Sequence, residues 1–199
     1  MAISNYGELK DAVKDFMNRS DMTTAQVENF VSLCEADIRN DVRVRAMETS
    51  TAVTVTGITM PAPTLMLEAR ELTIGGWQYE MVPLDVFTAH RKAGTGSKVF
   101  TQRGASFLVN NGETAVVSLT YLEAPAALTT STATNYILTY APDVYLYGTC
   151  AHAAQYYQDP ANLERFKTLY LGGVKRLNDR EARAKFSGSP LAIYPANME

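Results

Sequence analysis

The stretch from Arg91 to Val99, RKAGTGSKV, contains the glycines, lysines and hydroxyl side chains from which phosphate-binding loops are built. The nucleotide-binding loop needs a glycine, four residues and then Gly-Lys-Ser/Thr, leading from a strand into a helix. Here Ser97 precedes Lys98, Val99 follows it, and the next residues have the pattern of a strand. Because the required spacing is absent, the stretch is interpreted as a loop without a phosphate site.

Cysteine and histidine are too few for a metal centre. Cys150 and His152 are two residues apart on a predicted helix, so their side chains project about 200° apart. The remaining candidates are Cys34 and His90, and a four-ligand site would need nearly all of these residues. We interpret both cysteines as buried thiols and both histidines as partly exposed.

Two acidic pairs, Asp11/Asp15 and Glu35/Asp37, lie on helix faces that already carry charge, and such faces are usually solvated. There is no nucleophile elbow and no dinucleotide fingerprint. The sequence therefore predicts no catalytic, metal-binding or cofactor-binding residues, no cofactor, and a protein that is not an enzyme. A hydrolase without a recognisable motif remains an alternative.

Arginines cluster at the end of the predicted second helix, at Arg39, Arg43 and Arg45. They are suited either to DNA contact or to stabilising the helix dipole, which favours cations near a helix C-terminus. The formal net charge of −3 favours the dipole interpretation, since no general attraction to phosphate is expected.

Four helices are predicted outside a β-rich middle. The first spans residues 5–19, is capped by Asn5, and has an apolar stripe that includes Phe16. The second runs from Thr23 to about Arg45, and Gln26 completes a capping box. The third begins at Pro142 and the fourth follows Asp159-Pro160, where the glycine pair at 172–173 suggests a kink or a close contact.

The middle of the chain shows the two-residue period of strands. Thr51 to Thr56 alternates, Gly75-Gly76 suits a hairpin turn, and residues 99–101, 106–109 and 114–122 are strand-like. Pro83 to Arg91 suggests a helical turn. Trp77 and Tyr79 lie on one strand face, where core positions are favoured over an aromatic binding platform.

These elements predict an α+β protein. The expected domains are an N-terminal helical hairpin (1–50), an inserted β-rich lobe (51–139), C-terminal helices of the same bundle (140–186) and an extended tail (187–199). The composition, 46% hydrophobic and 20% charged over 199 residues, suits a globular chain with its own core. Neither a signal peptide nor a membrane span is expected.

Several segments, in order, carry a family resemblance: YGELKDAVKDFMNRSDMT, VENFVSLCEADIRNDVRVRAMET, LMLEARELTIGG with YEMVPL, APDVYLYGTCAHAAQYYQDPANLERFKTLY, and AKFSGSPLAIYP. The second contains F-x-x-L-x-E-A-x-I-R from Phe30 to Arg39, which is similar to the family's second-helix pattern F-x-x-L-x-E-A-x-I-x-R. Together they resemble the head–tail connector, or adaptor, proteins of tailed bacteriophages, of the tail tubular protein A type. Two stretches, Cys150-Ala-His152 and the loop AGTGSKV, differ from the residues that are usual in the family.

The resemblance implies a virion protein of the phage neck, assembled in the host cytoplasm. Its expected partners are the portal protein, the next tail component, other copies of itself in a twelvefold ring, and double-stranded DNA that passes through without sequence-specific binding. The tail is expected to dock on the portal through Pro190, Leu191, Ile193, Tyr194 and Pro195. Close packing between subunits is expected at small or aromatic residues of the third helix: Gly148, Ala151, Ala154 and Tyr157.

Besides the hydrolase, two alternatives to the adaptor interpretation remain at this point. The β-rich middle also suits another tail component, such as a nozzle, tube or fibre-attachment protein. Trp77 and Tyr79 would suit a carbohydrate- or protein-binding module if both were exposed.

In the third helix, Ala151→Leu is expected to overpack the bundle.

Overall fold

The computed structural model describes residues 3–19, 21–110 and 116–186. It has two compact units: a helical unit made of Met1–Val44 and Ala127–Glu199, and a β-rich unit made of Arg45–Ala126. Helices lie at both ends of the chain and strands in the middle, which confirms the predicted α+β class. The observed division falls at residues 44 and 126, whereas the sequence placed the lobe at 51–139.

The helical unit is built around one central helix. Its described helices are α1 (Tyr6–Met17), α2 (Thr24–Asp41), α4 (Tyr136–Tyr140), α5 (Pro142–Tyr156) and α6 (Pro160–Phe186). Helix α5 packs against each of the other four. Because it is surrounded, apolar or small residues are buried on all its sides, from Val144 to Ala154.

The helix starts follow the predicted caps. Asn5 accepts a hydrogen bond from the Glu8 amide, and Thr23 with Gln26 forms a complete capping box. At the start of α6, the Asp159 carboxylate accepts from the Asn162 amide at 3.1 Å. The local sequence therefore determines where these helices begin.

Helix α2 ends at Asp41, four residues before the predicted end. The guanidinium of Arg43 donates to the carbonyls of Arg39 (2.7 Å) and Val42 (2.8 Å), which satisfies acceptors at the helix end. This contact agrees with the dipole interpretation for Arg43. A short 3₁₀ helix at Arg45–Met47 then leads into the β-rich unit.

Two details of the helical unit differ from the sequence prediction. Helix α4 was not predicted, because five residues are too few to show a helical period; Asn135 caps it by accepting from the Leu138 amide. Phe16 was assigned to the apolar stripe of α1, but its side chain is 49% exposed and meets the ring of Tyr147 edge-on.

The β-rich unit contains seven strands among its described residues. They are β1 (Glu48–Thr54), β2 (Thr59–Pro61), β3 (Met66–Ile74), β4 (Trp77–Met81), β5 (Val99–Arg103), β6 (Ser106–Val109) and β7 (Val116–Glu123), in the order β1-β7-β3-β4-β5-β6-β2. The predicted hairpin joins β3 to β4, with Leu72 opposite Tyr79. Gly75 and Gly76 both have positive φ, as the tight turn requires.

The neighbouring strands in this sheet are antiparallel except β4 and β5, which α3 (Leu84–Ala93) connects in parallel. The edge strands β1 and β2 follow each other in the chain, and a bridge between Thr56 and Thr59 closes the turn that connects them. The described strands enclose one core that includes Met60, Leu72 and Phe107.

Trp77 does not share the core position of Tyr79. Tyr79 is 8% exposed, but Trp77 is 64% exposed and the Lys98 ammonium lies 3.1 Å from the centre of its ring. Trp77 begins β4 beside the hairpin turn, and in this strand only Tyr79 is buried. The prediction of two core aromatics was wrong for Trp77, and a platform of both rings is absent.

Glycine allows the closest helix contact in the helical unit. A Cβ at Gly148 of α5 would lie 2.5 Å from Cys34 Sγ of α2 and 3.0 Å from the Tyr170 ring of α6. At the glycine pair of α6, only Gly173 makes such an approach, 3.1 Å from Val144 Cγ2; Gly172 has open space. Helix α6 runs through both glycines without interruption.

These environments predict opposite effects of two glycine-to-alanine changes. Gly148→Ala is expected to destabilise the protein by about 2 kcal/mol, because overpacking outweighs the helix propensity gained. Gly172→Ala is expected to stabilise it by up to about 1 kcal/mol. Thermal unfolding followed by circular dichroism checks both; equal shifts for the two variants would contradict the packing described for α5.

Candidate functional site

A groove opens on the helical unit between α2 and α6, with α5 as its floor. Its volume is about 420 Å³. The floor includes Gly148, Ala151 and His152, and the walls include Asp37, Lys167 and Leu171. Two of these floor residues, Gly148 and Ala151, are small, which leaves open space above α5.

Two polar contacts join the helices along this groove. His152 Nε2 lies 2.8 Å from Asp37 Oδ2, and the Tyr170 hydroxyl donates to Asp41 Oδ2 at 3.0 Å. Burial raises the pKa of Tyr170 far above its ordinary value, with smaller contributions from Cys34 and Asp41. Tyr170 is therefore a neutral donor, which suits a structural tie better than proton transfer.

The structure separates the residues predicted for close packing. Gly148 and Ala154 are buried within their own helical unit, so they pack inside it. Ala151 is half-buried in the groove floor, where space is open, so the expected overpacking by Ala151→Leu is not supported. The Arg19 guanidinium lies over the Tyr157 ring, 4.1 Å from the centre of that ring. The predicted portal-docking residues, 190–195, lie outside the described residues.

Glu35 differs from its predicted role. It was expected to be solvated beside Asp37, but it is 8% exposed and accepts a hydrogen bond from the Leu128 amide at 2.6 Å. Burial raises its pKa, while that hydrogen bond and the Arg39 charge act in the opposite direction. The signal in the sequence was its place between Cys34 and Ile38, on the buried side of α2.

The cysteines and the lysine considered as candidates for chemistry have surroundings that do not favour reactivity. Burial raises the pKa of Cys150 to about 12 and that of Cys34 still further, so neither thiol is a ready nucleophile. Lys98 lies against Trp77, and the loop before it begins where Gly94 ends α3. In the part of the chain that the structure describes, no three His, Cys, Asp or Glu residues form a metal-binding group.

Comparison with known families decides the assignment. The family model described as SU10 adaptor protein matches residues 4–193. The chain belongs to this family. It is a phage structural adaptor protein, of the kind found in the virion neck. No match was found among the curated proteins. Within the described residues of this adaptor, no helix is both long and apolar enough to span a bilayer.

The family-like pattern in α2 of this adaptor is largely structural. Phe30, Glu35 and Ile38 are buried, and Glu35 holds the chain at Leu128 where it returns from the β-rich unit. Leu33, within the same pattern, is 51% exposed. The pattern therefore records how α2 packs, with one apolar side chain left at the surface.

The buried carboxyl of Glu35 gives a pH-dependent prediction. Because folding raises its pKa above the ordinary value of 4.5, the folded protein binds this proton more tightly than the unfolded chain does. Its contribution to stability therefore increases as pH falls. The stability of the wild type relative to Glu35→Gln, which keeps an acceptor but cannot titrate, is expected to rise between neutral pH and pH 4.5.

Denaturant unfolding at the two pH values measures this difference. Glu35→Ala serves as the control, since it leaves the Leu128 amide without its acceptor and is expected to cost about 1–3 kcal/mol at both pH values. A wild-type advantage over Glu35→Gln that shrinks in acid would contradict the buried state of this carboxyl.

Proposed function

We propose that this adaptor forms a ring that joins the portal to the tail of a tailed phage, as proteins of the tail tubular protein A type do, with the DNA channel through its centre. The observation that carries the proposal is the family match across residues 4–193. In this role the protein is a structural part of genome ejection and has no catalytic turnover. Its partners are the portal, the next tail component, and further copies of itself in a twelvefold ring.

Exposed apolar side chains on the helical unit support an assembly role. Tyr156 is 59% exposed, and Leu33 and Leu171, on α2 and α6, are each 51% exposed. Aromatic side chains of this kind are enriched in protein interfaces. Single exposed apolar residues are common, so it is their number on one small unit that supports the proposal.

The charge of the chain suits DNA that must move. With a net charge of −3, the adaptor has no overall attraction for the phosphate backbone, which supplies most non-specific DNA affinity. A weakly held DNA passes through a channel more freely than one that counterion release holds in place. The proposed contact with double-stranded DNA is therefore passage without sequence-specific binding.

Reconstitution with the portal tests the proposed function. Purified adaptor is mixed with portal rings of the same phage and, as a control, with portal rings of an unrelated phage. We expect a discrete adaptor ring on the matching portal only, seen by electron microscopy and counted by native mass spectrometry. Failure to bind the matching portal at micromolar concentrations would refute the portal-to-tail role.

A second prediction concerns residues 187–199. We propose that Leu191, Ile193 and Tyr194 anchor this segment on the portal, flanked by Pro190 and Pro195, which cannot continue a helix. Few anchors should dominate the affinity of such a segment. Deleting 187–199 is expected to leave the unfolding curve unchanged and to weaken portal binding at least tenfold.

A matched variant keeps the length of the chain. Replacing Leu191, Ile193 and Tyr194 together by serine is expected to weaken portal binding as strongly as the deletion does. Undiminished binding by both variants would remove the docking role from this segment.

A further inference from the structure

Charge is segregated within the helical unit. Helices α1 and α2 together carry seven acidic and three basic side chains. Helix α6 carries seven basic and three acidic side chains. Since the three helices pack on the same central helix α5, the unit has an acidic side and a basic side.

The acidic side has a regular stripe on α1. Glu8, Asp11 and Asp15 are spaced three and four residues apart, so they lie along one face, and all three are exposed. Asp11 and Asp15 have no ion-pair partner within the described ranges. Phe16, half-exposed, follows Asp15 but projects about 100° away around the helix, where its ring meets that of Tyr147. We call the three acidic residues the acidic stripe.

The basic side has a longer stripe on α6. Its members, all exposed, are Arg165, Leu169, Arg176, Arg180 and Arg183. They fall within about 60° around the helix axis and extend over roughly 27 Å along it. Arg176 contacts Asp143 at 2.6 Å, and the guanidinium of Arg180 lies 5.7 Å from the ring centre of Tyr140. We call these five residues the basic stripe.

The basic stripe borders a small cleft. The cleft has a volume of about 130 Å³ and is lined by Tyr140, Gly173, Arg176 and Arg180, among others. The Tyr140 side chain is 55% exposed at this cleft. Asp143 also lines the cleft and holds Arg176, so Arg180 beside the aromatic ring is the guanidinium that suits an acidic side chain with an apolar neighbour, because arginine binds carboxylates in two-point contacts.

We propose that the acidic stripe of one copy docks on the basic stripe of a second copy. The proposal rests on the ring proposed above and names the contact that builds it. Two different surfaces of one chain make a head-to-tail contact, which is the kind that generates rings. The basic stripe places guanidinium groups beside the exposed Leu169, a combination of charge and apolar area that protein interfaces use.

A second copy explains the basic stripe better than DNA does. Leu169 and Tyr140 supply apolar area that a phosphate backbone cannot use. A surface of opposite charge, the acidic stripe, is present on the same chain.

Charge reversal tests this contact. The acidic-stripe variant is Asp11→Lys with Asp15→Lys, and the basic-stripe variant is Arg180→Glu with Arg183→Glu. Matched controls reverse equal charge at exposed positions of the β-rich unit: Glu71→Lys with Glu80→Lys, and Arg91→Glu with Lys92→Glu. Oligomer mass is measured by native mass spectrometry and sedimentation, with and without portal rings, and circular dichroism checks folding.

The expected result is that each stripe variant alone self-associates at least tenfold more weakly than the wild type, while both controls assemble normally. An equimolar mixture of the two stripe variants should assemble again, because each reversed surface then meets its opposite. This recovery also shows that both variants are folded.

Other outcomes overturn the contact. Assembly of either variant alone at wild-type strength, or no recovery in the mixture, refutes it. So does a basic-stripe variant that loses only binding to a DNA duplex, which would assign α6 to DNA. If wild-type protein binds portal rings only as single copies, the contact between copies is refuted and portal binding stands. If wild-type protein self-associates but does not bind portal rings, portal binding is refuted and the contact between copies stands.

Discussion

The close approach of α2 and α6 to the backbone of Gly148 is the constraint on which the helical unit depends. The Cys34 sulfur and the Tyr170 ring occupy the space that any side chain at position 148 would need. This approach brings the Tyr170 hydroxyl to Asp41, so α6 is tied to the end of α2. Between the same helices lies the groove whose floor includes Ala151 and His152.

A buried carboxylate then links the two parts of the chain that form this unit. Glu35 comes from the first part and accepts the amide of Leu128, just after the chain leaves the β-rich unit. A buried charge is costly unless it is hydrogen-bonded. The hydrogen bond to Glu35 therefore determines that Leu128, and no neighbouring residue, lies against α2 where the chain returns to the helical unit. Apolar packing alone, with Val31 and Ile38 on the same face, would permit neighbouring registers.

The sequence predicted features that depend on neighbouring residues. The Thr23–Gln26 capping box and the Gly75-Gly76 turn were predicted because each is complete within a few residues. Features that depend on distant residues were missed. The partner of Glu35 lies 93 residues away, the exposure of Trp77 depends on its place at the start of β4, and β2 and α4 are too short to show a period.

The insertion of the β-rich unit has a consequence for synthesis. Cys34 meets the backbone of Tyr145 across 111 residues, and the helical unit lacks its central helix until α5 has left the ribosome. At roughly 5–20 residues per second, the α1–α2 hairpin waits about 5–20 seconds with its apolar face uncovered. The β-rich unit, whose strands all lie within residues 45–126, can fold during that interval. Chaperone demand should therefore fall on the newly made hairpin, and codon choice between residues 45 and 126 sets how long that demand lasts.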